Sequence, residues 1–123
     1  MGLFSFSKKP RASKLNWINI TTTDELEHAL GETEEVSGLF FKHSTRCNIS
    51  AMALNSFESQ WEENEKCKLY FIDLIAHRDV SNKISELTGV EHQSPQVVLV
   101  KNKEAVYDVS HNGISARTIK KLI

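Results

Sequence analysis

The chain has 123 residues, the size of one domain, and can bury a core without a disulfide or a metal. It is 40% hydrophobic and 25% charged, the balance of an ordinary soluble globular protein. Its net charge of -1 gives no bulk reason for a nucleic-acid partner, and no apolar run approaches the ~20 residues of a membrane span.

The first residues, Met1-Gly2-Leu3-Phe4-Ser5-Phe6-Ser7, lack the long apolar core and small-residue cleavage site of a secretory leader. Myristoylation wants Ser or Thr at position 6, where Phe6 stands. Two aromatics followed by Lys8, Lys9, Arg11 and Lys14 could touch a membrane surface, but a terminal arm over 1–13 is the simpler expectation. The folded domain is then expected over 14–123. Two cysteines without a leader point to a reducing compartment, hence a cytoplasmic protein whose thiols are free.

Leu15 to Ile20 alternates apolar and polar residues and predicts a first strand. Thr22 and Glu25 fit a capping box, and Leu26, Ala29 and Leu30 give a short helix ending near Gly31. Val36 to Lys42, centred on Leu39-Phe40-Phe41, reads as a buried strand. From Cys47 to Trp61 the spacing is helical, with Ile49, Met52, Ala53, Phe57 and Trp61 expected to form the core stripe.

Lys68 to Ala76 predicts the strongest strand. Val80, Ile84 and Leu87 form a helical stripe stopped by Gly89. Gln96 to Lys101 is another buried strand, paired with Glu104 to Ser110 through the turn at Lys101-Asn102-Lys103. A last helix is expected from Ile114 to Ile123. The resulting order, β-α-β-α-β-α-β-β-α, implies an α/β fold: parallel pairing through crossover helices, then a hairpin.

Cys47 lies between the second strand and the second helix, in His43-Ser44-Thr45-Arg46-Cys47-Asn48-Ile49-Ser50. Helix N-termini carry unpaired N–H groups and a positive dipole end, which favour thiolate over thiol. A dithiol redox site would carry its second cysteine three residues on, where Ser50 stands. Ser50 could instead bond the sulfur or cap the helix. Cys67, just before the central strand, reads as a packing residue, since nothing brings it near Cys47. His43, His92 and His111 could gather near the site as proton carriers. These histidines and Cys47 lack recognisable metal-ligand spacing, so no metal is expected.

The element order, the reactive cysteine after the second strand, and Ser94-Pro95-Gln96 before a buried strand together resemble the thioredoxin fold. In such proteins a cis-proline at that place faces the active cysteine, and proline is the residue for which a cis bond is cheap. The segments His43 to Ser50, Glu91-His92-Gln93-Ser94-Pro95-Gln96 and Ser110-His111 narrow the match. They resemble the YtxJ-like family of monothiol bacilliredoxins, over about residues 14–123. That family's site reads Thr-Cys-Pro-Ile-Ser or Thr-Arg-Cys-Pro-Ile-Ser, so Asn48 stands in place of a proline.

The resemblance implies a thioredoxin-like domain with a mixed sheet of about five strands flanked by helices. It implies a thiol-disulfide oxidoreductase in which Cys47 takes bacillithiol from bacillithiolated proteins. Thr45, Arg46, Asn48 and Ser50 would support the site, and Ser94, Pro95 and His111 would line the substrate side. Bacillithiol would be a co-substrate rather than a bound cofactor, and a second low-molecular-weight thiol would clear Cys47. Arg46 could attract its malate carboxylates. Two other readings stay open: a glutathione-using monothiol glutaredoxin, with or without an iron–sulfur cluster, and a non-catalytic thioredoxin-like module of the stress response.

Overall fold

The computed structural model describes residues 15–123. The expected arm over 1–13, with its membrane-contact reading, lies outside the described residues. The elements are β1 (Trp17–Asn19), α1 (Thr23–Glu32), β2 (Ser37–His43), α2 (Asn48–Gln60) and β3 (Cys67–Asp73). They continue with α3 (Arg78–Thr88), β4 (Gln96–Lys101), β5 (Glu104–Ser110), a short 3-10 turn (His111–Gly113) and α4 (Ala116–Lys120). This is the expected order with one turn inserted before the last helix.

The strands form one five-stranded sheet in the order β1-β3-β2-β4-β5. β1, β3 and β2 run parallel, while β4 lies antiparallel to β2 and β5 antiparallel to β4. Alternation along the strands sorts the core into two layers. Leu39, Phe41, Leu69, Phe71, Val97 and Leu99 meet Leu54, Phe57 and Trp61 of α2 and Ile119 of α4 on one face. Phe40, Tyr70, Ile72, Val98 and Val100 meet Leu26 and Leu30 of α1 and Val80 and Ile84 of α3 on the other.

Local signals account for the element ends. The Thr22 hydroxyl caps α1 by accepting the Glu25 N–H at 3.1 Å. Glu25 reaches back one residue further than a capping box requires, accepting the Thr21 N–H at 2.8 Å. α1 runs one residue past Gly31 and closes at Thr33 with right-handed backbone, so Gly31 is not its stop. Gly89 does stop α3, at φ 77°. The β4–β5 turn carries Asn102 and Lys103 at φ 55° and 68°, the left-handed pair of a tight hairpin. α4 is shorter than expected because Ser115, accepting the Thr118 N–H, starts it two residues after Gly113.

The expected stripe of α2 needs correction. Ile49 and Met52 are exposed, at 48% and 70%, and Leu87 of α3 is also exposed. The buried face of α2 is Ser50, Leu54 and Phe57, continued by Trp61. Spacings of four, three and four residues describe that face as well as the predicted one. The register differs because Ser50, a polar residue, is fully buried.

Candidate active site at Cys47

β2 occupies the middle of the sheet and ends at His43, so the chain leaves the core at the C-terminal edge of the parallel strands. Thr45 and Arg46 form an exposed turn, closed by the Cys47 N–H donating to the Ser44 carbonyl at 3.2 Å. Cys47 is the N-cap residue of α2, with extended backbone at φ -120° and ψ 121°. Its carbonyl accepts the Ala51 N–H at 3.1 Å, and its side chain makes no capping bond. The thiol is free and partly exposed. A sulfur at this position lies at the positive end of a 13-residue helix, reachable from solvent.

Asn48 is the first helical residue and is exposed. A proline there would lose no intrahelical bond, which is why proline and asparagine are interchangeable for the backbone at this position.

Ser50 neither caps the helix nor lies at the surface. Its hydroxyl accepts the Ser44 N–H at 3.0 Å and shares a 2.7 Å hydrogen bond with His43 Nδ1. Ser50, His43 and Ser44 are all buried, and His43 lies beside the rings of Phe41 and Phe71. The Leu74 N–H donates to the His43 carbonyl at 3.0 Å. The serine thus ties the first turn of α2 to the end of β2, and the Cys47 loop is held from both sides. A buried hydroxyl paired in this way costs little; left unpaired, it would cost the full desolvation penalty.

The Ser94–Pro95 peptide bond is cis, as the thioredoxin resemblance implies. Lys42 and Gln96 are register partners across β2 and β4, so Pro95 meets the sheet at the edge from which the Cys47 loop departs. The His111 N–H donates to the Pro95 carbonyl at 3.0 Å, and the 3-10 turn beginning at His111 packs on α2. The structure therefore gathers α2, Pro95 and His111 at one end of the sheet. The Ser94 hydroxyl oxygen is buried there without a hydrogen-bond partner among the described residues.

The three histidines do not converge. His43 faces the layer of α2, and His111 is exposed at φ 55°. His92 lies on the α3 side, 3.3 Å from Ser81 Oγ. Burial holds the His92 imidazole below its ordinary range, with Lys42 and Arg78 adding repulsion. Among the described residues no group of three or more His, Cys, Asp or Glu side chains is arranged to hold a metal.

Cys67 opens β3 opposite Ser37, the first residue of β2, whereas the Cys47 loop follows the last. Six residue steps of strand separate these ends, about 20 Å at ~3.3 Å per residue. Burial pushes the Cys67 thiol up to about 12. It is remote, protonated and packed, and cannot meet Cys47 inside one molecule.

Two features of this region escaped the sequence reading. The link from His43 to Ser50 had only a weak signal, two polar residues seven apart. Lys42 had a clearer one, a lysine at the end of the apolar run Leu39-Phe40-Phe41. Both residues are buried.

The family model of the monothiol bacilliredoxin BrxC matches residues 18–119. The chain belongs to this family. It is a thiol-disulfide oxidoreductase. A bacilliredoxin should share its fold with other thiol oxidoreductases, and solved structures agree. A thioredoxin-fold protein assigned provisionally as an oxidoreductase is similar at 28% identity and TM-score 0.74, covering 85% of this chain and 91% of the other. Thioredoxin of Schistosoma mansoni matches at 18% identity and TM-score 0.67, over 87% and 92% of the two chains. A variant thioredoxin of Halobacterium salinarum matches at 20% identity and TM-score 0.66, over 92% of each. The last two likenesses bear on the fold alone. No helix among the described residues is long and apolar enough to cross a membrane.

Proposed function

We propose that this bacilliredoxin removes bacillithiol from protein mixed disulfides through Cys47. The observation that carries the proposal is a free, accessible sulfur at the N-cap of α2, with a buried serine where a second thiol would stand. The Cys47 thiolate attacks the bacillithiol sulfur of the mixed disulfide. A new Cys47–bacillithiol disulfide forms, the protein–bacillithiol bond breaks, and the protein thiolate leaves and takes up a proton. A second bacillithiol thiolate then attacks the Cys47 adduct. It releases oxidised bacillithiol and restores the Cys47 thiolate.

Ser50 has no thiol to displace the adduct, and Cys67 is buried at the far end of the sheet. Clearance from outside the chain follows from both facts. Arg46 and Thr45, exposed next to Cys47, are placed to meet the polar part of the small thiol. Ser94, Pro95 and His111 supply the opposite wall for the extended protein partner. The cytoplasm, where proteins carry such adducts under oxidative stress, is the compartment this chemistry suits.

A turnover experiment tests the proposal. An excess of bacillithiolated protein, mixed with reduced chain and no free thiol, should be demodified once per chain and then stop. Added bacillithiol should restart turnover. Continued turnover without added thiol would contradict the mechanism. Equal or faster turnover with glutathione, on a glutathionylated protein, would transfer the chemistry to the glutaredoxin reading.

A further inference from the structure

Lys42 is completely buried, yet no carboxylate among the described residues lies within ion-pairing reach of it. Its ammonium donates to Gln96 Oε1 at 3.0 Å and to Ser85 Oγ of α3 at 3.3 Å. Burial, and secondarily Arg78, draw the amine down to about 8. An apolar residue would fill this place at less cost, so the amine's bonds need an explanation.

The bond to Gln96 supplies one. A lysine amine only donates, so Gln96 must turn its oxygen towards Lys42. That orientation points Gln96 Nε2 at the Glu91 carbonyl, to which it donates at 2.9 Å. The same Gln96 oxygen also accepts the Gln93 N–H at 3.3 Å. One buried glutamine, oriented by one buried lysine, therefore holds both ends of the Glu91–Gln93 segment. That segment leads directly into Ser94 and Pro95. Without Lys42, only the two loop bonds hold the amide, and the loop loses the buried anchor that fixes Gln96 against β2 and α3.

We propose that Lys42 is a positioning residue, which acts through Gln96 to hold the Glu91–Pro95 loop in the place where the protein partner's mixed disulfide must lie against Cys47. The proposal rests on the exchange chemistry above for its kinetic consequence, but not for its structural one. Lys42 touches no reacting atom. Its effect falls on how well an extended protein chain is held, and not on how reactive the sulfur is.

Lys42→Met removes the donor while keeping the bulk. The KM for a bacillithiolated protein should rise roughly ten-fold, with kcat changing far less. Alkylation of Cys47 by iodoacetamide should stay within about two-fold of the parent rate, since the small reagent does not need the loop. Amide hydrogen exchange should quicken at Gln93, whose N–H loses its fixed acceptor, while amides of β2 and β3 keep their protection. Gln96→Glu retains an acceptor for Lys42 and Gln93 but deletes the donor to Glu91, and should raise KM by a smaller factor. Ser85→Ala removes the other contact of Lys42 and should leave KM unchanged.

Parent-like KM and parent-like Gln93 exchange in Lys42→Met would overturn the proposal. So would a loss of protection spread evenly over the core with slowed alkylation, which marks a residue that only stabilises the fold. The exchange measurement involves no thiol chemistry. Should the parent chain fail to accept bacillithiol, the functional reading fails, and exchange at Gln93 still decides the role of Lys42.

Discussion

Ser50 shows how a residue can be both an absence and a part. It leaves the site with one thiol, and it pins the first turn of α2 to His43 and Ser44. Ser50→Ala would strand the Ser44 N–H and the His43 Nδ1 bond in a buried place. The expected cost is about 1–3 kcal/mol, read as a lower urea midpoint with an unchanged slope. An unchanged midpoint would mean that water replaces the hydroxyl and that the tie is dispensable. Little of this was legible in the residues. The position of Ser50 relative to Cys47 was plain, but its burial depends on which face α2 turns inward, and that is set by packing on β2 rather than by spacing.

At the scale of elements, Asn48 in place of proline is a change at the first position of α2, where no intrahelical hydrogen bond is at stake. Asn48→Pro should therefore leave stability unchanged or raise it by about 0.4–1 kcal/mol, through a stiffer unfolded chain. Denaturation showing a loss above ~1 kcal/mol would mean that the Asn48 N–H or side chain has a partner in solution.

The same helix shows what a sequence can and cannot convey. β4 and β5 appear with the expected ends, joined by the tight turn at Asn102-Lys103, with a register shift between Leu99 and Val100. The cis bond at Pro95 was anticipated from the thioredoxin resemblance, not from the residues around it. α2 was recognised as a helix, yet its inward face was misassigned at Ile49 and Met52, since hydrophobic residues occupy both candidate faces. The Lys42–Gln96 contact joins residues 54 apart in sequence and becomes visible only through the β2–β4 register.

For the whole molecule, buried titratable groups make stability depend on pH in two opposed ways. Lys42 falls from its ordinary 10.5 to about 8, through burial first and then the charge of Arg78. Between those values the unfolded chain holds the proton that the folded chain has released, so stability rises with pH from about 8 upwards. Cys67 moves the other way, from 9.0 up to about 12, and Tyr70 is also raised, by burial first and then by Glu32. Above about pH 9 the unfolded chain loses these protons first, and stability falls. The urea midpoint should increase between pH 7.5 and 9 and then flatten. In Lys42→Met the increase should vanish and only the fall remain; an unaltered profile in that variant would contradict the assignment.

The central claim concerns the two cysteines, which lie towards opposite ends of a strand about 20 Å long. Its most direct test is peptide mapping by mass spectrometry, without reducing agent, after the chain meets a bacillithiolated protein. The prediction is one bacillithiol on the peptide containing Cys47 and none on the peptide containing Cys67. An adduct on Cys67, an internal Cys47–Cys67 disulfide, or no adduct at all would contradict it.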